Sequence, residues 1–293
     1  MSRMEVPPTV RQRLLGARLR RLREAAGMTL DQAGQVIECT GSKISRIETG
    51  HRGIKPFELR HLLRAYGVTD EARIDAFVRA FREAKRRDWW DTGEYDELLS
   101  EAQYRDYLTL EADAAWIRNF ESLLVPGLLQ TEDYARAVIA AYRTEDSSDQ
   151  IDALVKVRMA RQEAVLRQPK HPVKLWAVLD EAVLRRPWGG RDVMRAQLRH
   201  LAEIGSTRGN NITIQVLPFK AGDHPAVDGS FVLLSYPEQI APDIVWLEIG
   251  NGSLYLENTA DVERYNLMFS HLTARALSPP ASVEFIARAA EEL

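Results

Sequence analysis

Between Arg11 and Arg87 the chain is punctuated at short intervals by residues that start helices and residues that stop them. Leu15, Leu19, Leu22 and Ala26 recur at spacings of three and four, with arginines between them, until Gly27 stops the run. Thr29 is placed to cap a short helix over Leu30–Ile37, and Glu38-Cys39 forms the turn that follows. Thr40 caps a third helix through Glu48, which Gly50 ends. Pro56 stands at a first helical position, opening a helix over Phe57–Tyr66 with Gly67 as its stop. A fifth helix, about Asp70–Arg87, completes an all-helical unit.

The helix pair from Thr29 to Glu48 carries the chemistry. Ala33, Val36 and Ile37 can face a hydrophobic centre together with Ile44 and Ile47, which leaves Ser42, Lys43, Ser45 and Arg46 pointing outward. A second helix that projects in this way fits a DNA major groove about 12 Å wide, while the first helix braces it. Arg46 has the paired donors that read guanine O6 and N7, and the hydroxyls suit base edges or phosphates. Lys43, Arg52 and Lys55 suit phosphate contacts, which fix register without reading sequence. The helix N-terminus at Thr40 adds its own attraction for a phosphate. Charge points the same way. Residues 1–88 hold 19 Lys and Arg against 11 Asp and Glu, a net of +8, whereas the rest carries −11, giving the overall −3. A basic unit joined to an acidic one suits a polyanionic partner for the first unit only.

Residues 14–66 resemble the Cro/cI-type (xenobiotic-response-element, XRE) family of helix-turn-helix regulators. The resemblance rests on Leu19-x-x-Leu22-Arg23-Glu24-x-x-Gly27-Met28-Thr29 and on Ser42-Lys43-Ile44-Ser45-Arg46-Ile47-Glu48-x-Gly50. It implies a partly buried ion pair between Arg23 and Glu48 that braces the recognition helix. The DNA-contacting set expected is Thr29, Thr40, Gly41, Ser42, Lys43, Ser45, Arg46, Arg52 and Lys55. Two positions depart from the family pattern. The turn position usually held by glycine is Glu38, where a left-handed backbone costs on the order of 1 kcal/mol. The position that often carries a base-reading glutamine is Gly41, which moves the readout to Ser42, Ser45 and Arg46.

The organisation expected is a flexible tail (1–12), the DNA-binding domain (13–88), an aromatic and acidic linker (89–107) with a short helix near Tyr95–Ala102, and a second domain (108–293). Helices are expected near Leu108–Ala115, Glu132–Tyr142, Ile151–Arg167, Arg191–Ile204, Ala260–Arg275 and Ser282–Glu291. Strands are expected at Val173–Leu179, Ile212–Leu217, Ser230–Ser235, Ile244–Ile249 and Ser253–Glu257, with further short ones within Trp116–Val125. Helices around a strand-rich middle predict an α+β domain with a mainly antiparallel sheet flanked by helices. Trp176, Trp188 and Trp246 are expected in its core.

Segments such as Val125-Pro126-Gly127-Leu128-Leu129-Gln130-Thr131, Leu179-Asp180-Glu181-Ala182 and Gln215-Val216-Leu217-Pro218-Phe219 resemble an uncharacterised domain that follows the helix-turn-helix in many actinobacterial (Streptomyces-like) regulators. That resemblance implies an antitoxin-like arrangement, with a small partner protein encoded by an adjacent gene, or a small ligand. Arg161, Gln162, Glu181, Gln197 and Gln215 lie near apolar runs, as in a pocket with a few convergent polar contacts; ordinary capping and surface roles are the alternative. Asp180-Glu181, Asp223-His224, Asp228 and Glu248 are the conspicuous candidates for acid–base chemistry. Asp-Glu after an apolar run equally suits a helix start, the six histidines show no metal-ligand spacing, and no phosphate-binding glycine loop is present. The reading is therefore a regulator and not an enzyme, with no cofactor. It binds double-stranded DNA as a homodimer on a pseudo-palindrome and represses transcription. The lone Cys39 and the lack of a leader or membrane span fit a cytoplasmic, nucleoid-associated protein.

Overall fold

The computed structural model describes residues 8–84, 88, 90, 102–166, 173–207, 209, 211–236, 243–249 and 252–293, with the side chains of 102 and 103 excepted. The chain divides into two units, Met1–Leu110 with Tyr236–Pro242, and Glu111–Ser235 with Asp243–Leu293.

The first unit contains α1 (Val10–Ala25), α2 (Leu30–Val36), α3 (Gly41–Glu48), α4 (Pro56–Ala65) and α5 (Glu71–Glu83). Helix α1 starts earlier than expected, so the predicted tail of 1–12 is too long. The reason is a capping box, in which the Thr9 hydroxyl accepts the Gln12 N–H at 3.2 Å and the Gln12 amide oxygen accepts the Thr9 N–H at 2.9 Å. Residues 85–87, expected to end the fifth helix, lie outside the described residues. One core joins all five helices through Leu19, Ala33, Ile44, Ile47, Leu59, Leu62, Leu63, Ile74 and Phe77. Helices α1 and α3 approach to backbone contact at Gly16, where a Cβ would lie 2.5 Å from the Glu48 carbonyl oxygen.

Helix α6 (Ala102–Asp113) runs through the division at Leu110. The short helix expected near Tyr95–Ala102 and most of the expected linker fall outside the described residues.

The second unit is α+β. Its elements are β1 (Trp116–Glu121), α7 (Glu132–Tyr142), α8 (Ser148–Leu166), β2 (Lys174–Asp180), α9 (Glu181–Arg185), α10 (Arg191–Ser206), β3 (Ile212–Leu217), β4 (Phe231–Ser235), β5 (Ile244–Ile249), β6 (Gly252–Leu256), α11 (Thr259–Arg275) and α12 (Pro279–Glu291). The strands form one mixed sheet in the order β3-β2-β1-β4-β5-β6. The pairings β1–β2 and β2–β3 are parallel, and the other three are antiparallel. The parallel half follows from the helices that carry the chain back after β1 and β2, since a parallel neighbour needs a crossover. Helix α11 lays Met268, Phe269 and Leu272 against Phe120, Phe231, Leu233 and Val245 on one face of the sheet.

Strand β3 would leave an open margin, and the segment around α12 closes it. The Leu277 N–H donates to the Val216 carbonyl at 2.8 Å, and the fully buried Ser282 hydroxyl accepts the Val216 N–H at 2.9 Å. Of the three tryptophans expected in the core, Trp246 is buried, while Trp176 and Trp188 are half-buried.

Candidate nucleic-acid interface

Helices α2 and α3 are positioned from their first turns. The Thr29 hydroxyl accepts the Gln32 N–H, and Thr40 accepts the Lys43 N–H at 3.3 Å. The turn between them contains Glu38 at φ 53°, which among the described residues is the one non-glycine in the left-handed region. Gly34 lets the turn fold back, since a Cβ there would meet the Cys39 carbonyl oxygen at 2.4 Å.

Ile44 and Ile47 are buried, which rolls the opposite side of α3 outward: Ser42 and Arg46 are exposed and Ser45 is half-buried. Arg52 and Lys55, on the loop after α3, are exposed, as are Thr29 and Thr40. Below this surface the Arg23 guanidinium grips Glu48 through two bonds, Nε to Oε1 at 2.7 Å and Nη2 to Oε2 at 3.0 Å. Its third nitrogen reaches the Met28 carbonyl at 2.7 Å. The Glu48 hydrogen bonds hold the guanidinium pKa above its usual value despite burial. The pair therefore ties the end of α1, the start of α2 and the end of α3 into one rigid corner.

Lys43 does not point outward as expected. Its Nζ lies 2.7 Å from Glu58 Oε1, and Glu58 Oε2 accepts the Lys55 N–H at 3.0 Å. Burial acts to raise the Glu58 carboxyl, but these partners bring it below its ordinary range. Glu58 was missing from the predicted set. Its signal is the capping-box spacing, three residues after Lys55 at the start of α4. Gly41 is buried because α2 crowds it, and a Cβ there would come within 2.3 Å of Asp31 Oδ1. The unusual glycine thus belongs with Asp31 on α2, which occupies the space a longer side chain would need.

With this geometry in place, two protein families match. A family described as a helix-turn-helix domain matches residues 14–77, and one described as a domain of unknown function (DUF5753) matches residues 104–288. The second covers more than half of the chain. The protein belongs to the DUF5753 family. No curated protein and no solved structure matches it. Among the described residues no helix is long and apolar enough to cross a membrane. The N-terminal unit of this DUF5753 protein carries a helix-turn-helix, the element of a DNA-binding regulator.

Within the DUF5753 region, the five polar residues expected to line a pocket are each engaged by the protein itself. Arg161 forms a buried two-bond pair with Glu111, at 2.5 and 2.6 Å. The Gln162 amide donates to the carbonyls of Gly127 and Gln130 at 2.9 and 2.8 Å. Gln197 donates to the Leu129 carbonyl at 2.8 Å and accepts the Thr131 N–H at 2.7 Å. These last two clamp the loop between β1 and α7. Glu181 accepts the Phe219 N–H at 2.9 Å and Arg185 Nε at 3.0 Å, while Gln215 accepts the Trp176 indole N–H and donates to Leu277 O, both at 2.8 Å. Gln162, Glu181, Gln197 and Gln215 thus serve the capping role that the sequence left open beside a pocket, since buried backbone groups in the connecting loops need partners. The loop clamp was missed in part, because Gln130, Tyr134 and Arg158 also belong to it.

Among the acid–base candidates, Asp180 and Asp223 are likewise occupied. Asp180 caps α9 by accepting the Ala182 N–H at 2.8 Å, and Asp223 pairs with Arg275 at 3.0 Å. His224 lies edge-on to Phe120. Asp228 and Glu248 are exposed.

Proposed function

We propose that the protein is a sequence-specific transcriptional regulator of the Cro/cI type. In this reading α3 enters the major groove with Arg46 reading a base and Ser42 and Ser45 supporting it, while Arg52 and Lys55 hold phosphates. The observation that carries the reading is the Arg23–Glu48 corner, which presents exposed Ser42 and Arg46 on a helix whose other side is fixed in the core. The protein acts as a homodimer on two half-sites about 34 Å apart, or a multiple of that, and represses by occluding polymerase. The second unit receives the controlling signal. Binding rather than catalysis is supported by Asp180 and Glu181, whose carboxylates serve a helix cap and a loop amide.

Genome-wide mapping of bound sites tests the reading, because recovered sequences report both symmetry and target genes. Arg46→Ala is expected to lose about 1–3 kcal/mol of discrimination at one base pair. A variant that binds operator and scrambled duplex as the wild type does would reject the role given to Arg46.

An antitoxin-like role, in which the second unit holds a small protein partner and DNA binding serves autoregulation, has its own support. Leu123, Phe219 and Val227, 60%, 59% and 81% exposed, lie on loops at the ends of β1 and β3 and before β4. Co-purification with the product of an adjacent gene would favour it, and operator binding that is unchanged by that product would count against it.

A further inference from the structure

The first unit holds a cavity beside the loop after α3 that none of the roles above uses. Helix α3 gives way to Gly50, whose φ of 80° brings the backbone so close to α1 that a Cβ there would lie 2.9 Å from the Gln12 carbonyl carbon. The chain then runs through residues 51–55 and returns at Pro56, the first residue of α4. This loop, the first turn of α1, α4 and the last turns of α5 together bound a space of about 430 Å³, within the range that small-molecule sites occupy.

The cavity has two kinds of wall. Ile47, Leu59 and Val78, which are buried, and Ile54 and Phe81, which are half-buried, supply an apolar surface. Arg52, Lys55 and Arg82 supply three exposed cations, and no acidic residue lines the space. Among the described residues neither Arg52 nor Arg82 has a carboxylate partner, whereas Lys43, Arg60 and Arg64 of the same unit each have one. The Lys55 ammonium lies 5.8 Å from the centre of the Phe57 ring, outside the lining. An apolar surface beside unopposed cations fits an anion with an apolar body.

We infer that this cavity binds a small aliphatic carboxylate, and that its occupation releases DNA. The carboxylate takes paired N–H donors from Arg52 or Arg82, whose planar fork matches its two oxygens. The aliphatic body covers the apolar wall, where each methylene removed from water adds severalfold to affinity. The release rests on the reading that Arg52 and Lys55 hold phosphates. A carboxylate on Arg52 takes the donors a phosphate needs and cancels one positive charge of the DNA-facing surface. The DNA-binding unit thereby carries an input of its own, apart from any signal received by the second unit.

The experiment is calorimetric titration of the full chain with sodium octanoate in the absence of DNA. It is followed by fluorescence anisotropy of an operator duplex, recovered by the mapping above, as octanoate is added at constant ionic strength. Expected is saturable binding with one site per chain, and displacement of the operator over the same concentration range. Hexanoate and butanoate should bind progressively more weakly, by about tenfold for each two methylenes removed. Octyltrimethylammonium, with the same body and the opposite charge, should not bind. Arg82→Gln, an exposed change outside the DNA-contacting set, should weaken octanoate about tenfold and keep operator affinity within about twofold. Unchanged octanoate binding in that variant would overturn the site, as would acetate, inorganic phosphate or octyltrimethylammonium binding as tightly as octanoate. Octanoate that binds without displacing the operator would overturn the release. A protein that binds operator but not octanoate overturns the site and leaves the regulatory reading standing. One that binds octanoate but no duplex supports the site and overturns the regulatory reading.

Discussion

At Glu121 the protein holds a proton more tightly folded than unfolded, because burial raises the carboxyl to about 7 from an ordinary value near 4.3. The stabilising contribution is therefore fully present below the ordinary value and is lost as the pH rises through about 7. Thermal melts of the unliganded protein should show stability falling between pH 5 and pH 8. Glu121→Gln, neutral throughout, should flatten that slope and be more stable than the wild type at pH 8 by roughly 2 kcal/mol. An unchanged slope would show that the carboxyl is solvated. Glu38 poses the opposite question, one of backbone rather than charge. A side chain at φ 53° costs about 1 kcal/mol, and glycine gives back part of that gain as chain entropy. Glu38→Gly should raise stability by about 0.5 kcal/mol, and a lower melting point would mean that the Glu38 side chain earns its place.

At the scale of elements, the corner formed by α1, α2 and α3 concentrates stability in one ion pair. Arg23→Ala leaves the Glu48 carboxylate, 5% exposed, without its partner and should cost about 3–5 kcal/mol in chemical denaturation. Lys43→Ala should cost only about 1 kcal/mol, because Glu58 keeps the Lys55 N–H and lies nearer to solvent. Equal losses for the two would mean that the corner does not depend on the pair. The contrast also marks what a sequence exposes. The outward set on α3 follows from the 3.6-residue period of Ile44 and Ile47, and helix α7 and strands β3 and β5 occupy their expected residues because caps and β-branched runs are local signals. Lys43 and Glu58 meet from different helices, and that depends on how α3 and α4 pack. The place of β1 between a parallel β2 and an antiparallel β4 is likewise nonlocal. Gln162, Gln197 and Gln215 left a pocket and a capping role both open, because a buried amide has the same appearance in sequence whether it meets a ligand or a loop.

For the whole molecule, the number of protomers on DNA can be read from salt. Arg52 and Lys55 are the candidate phosphate contacts of each protomer, so a dimer neutralising four phosphates gives a log–log slope of about −4 and a monomer about −2. A fluorescence-anisotropy titration across a range of salt concentrations on one operator separates the two. The closure of β3 by Leu277 and Ser282 has a consequence of another kind, concerning birth rather than binding. On the ribosome β3 emerges well before the segment that covers its outer rim, so the nascent sheet waits with bare amides until α12 arrives. A message cut short ahead of Leu277 should yield polypeptides that stick to one another through that rim, and quality control would meet them as clumps rather than as a weakened regulator.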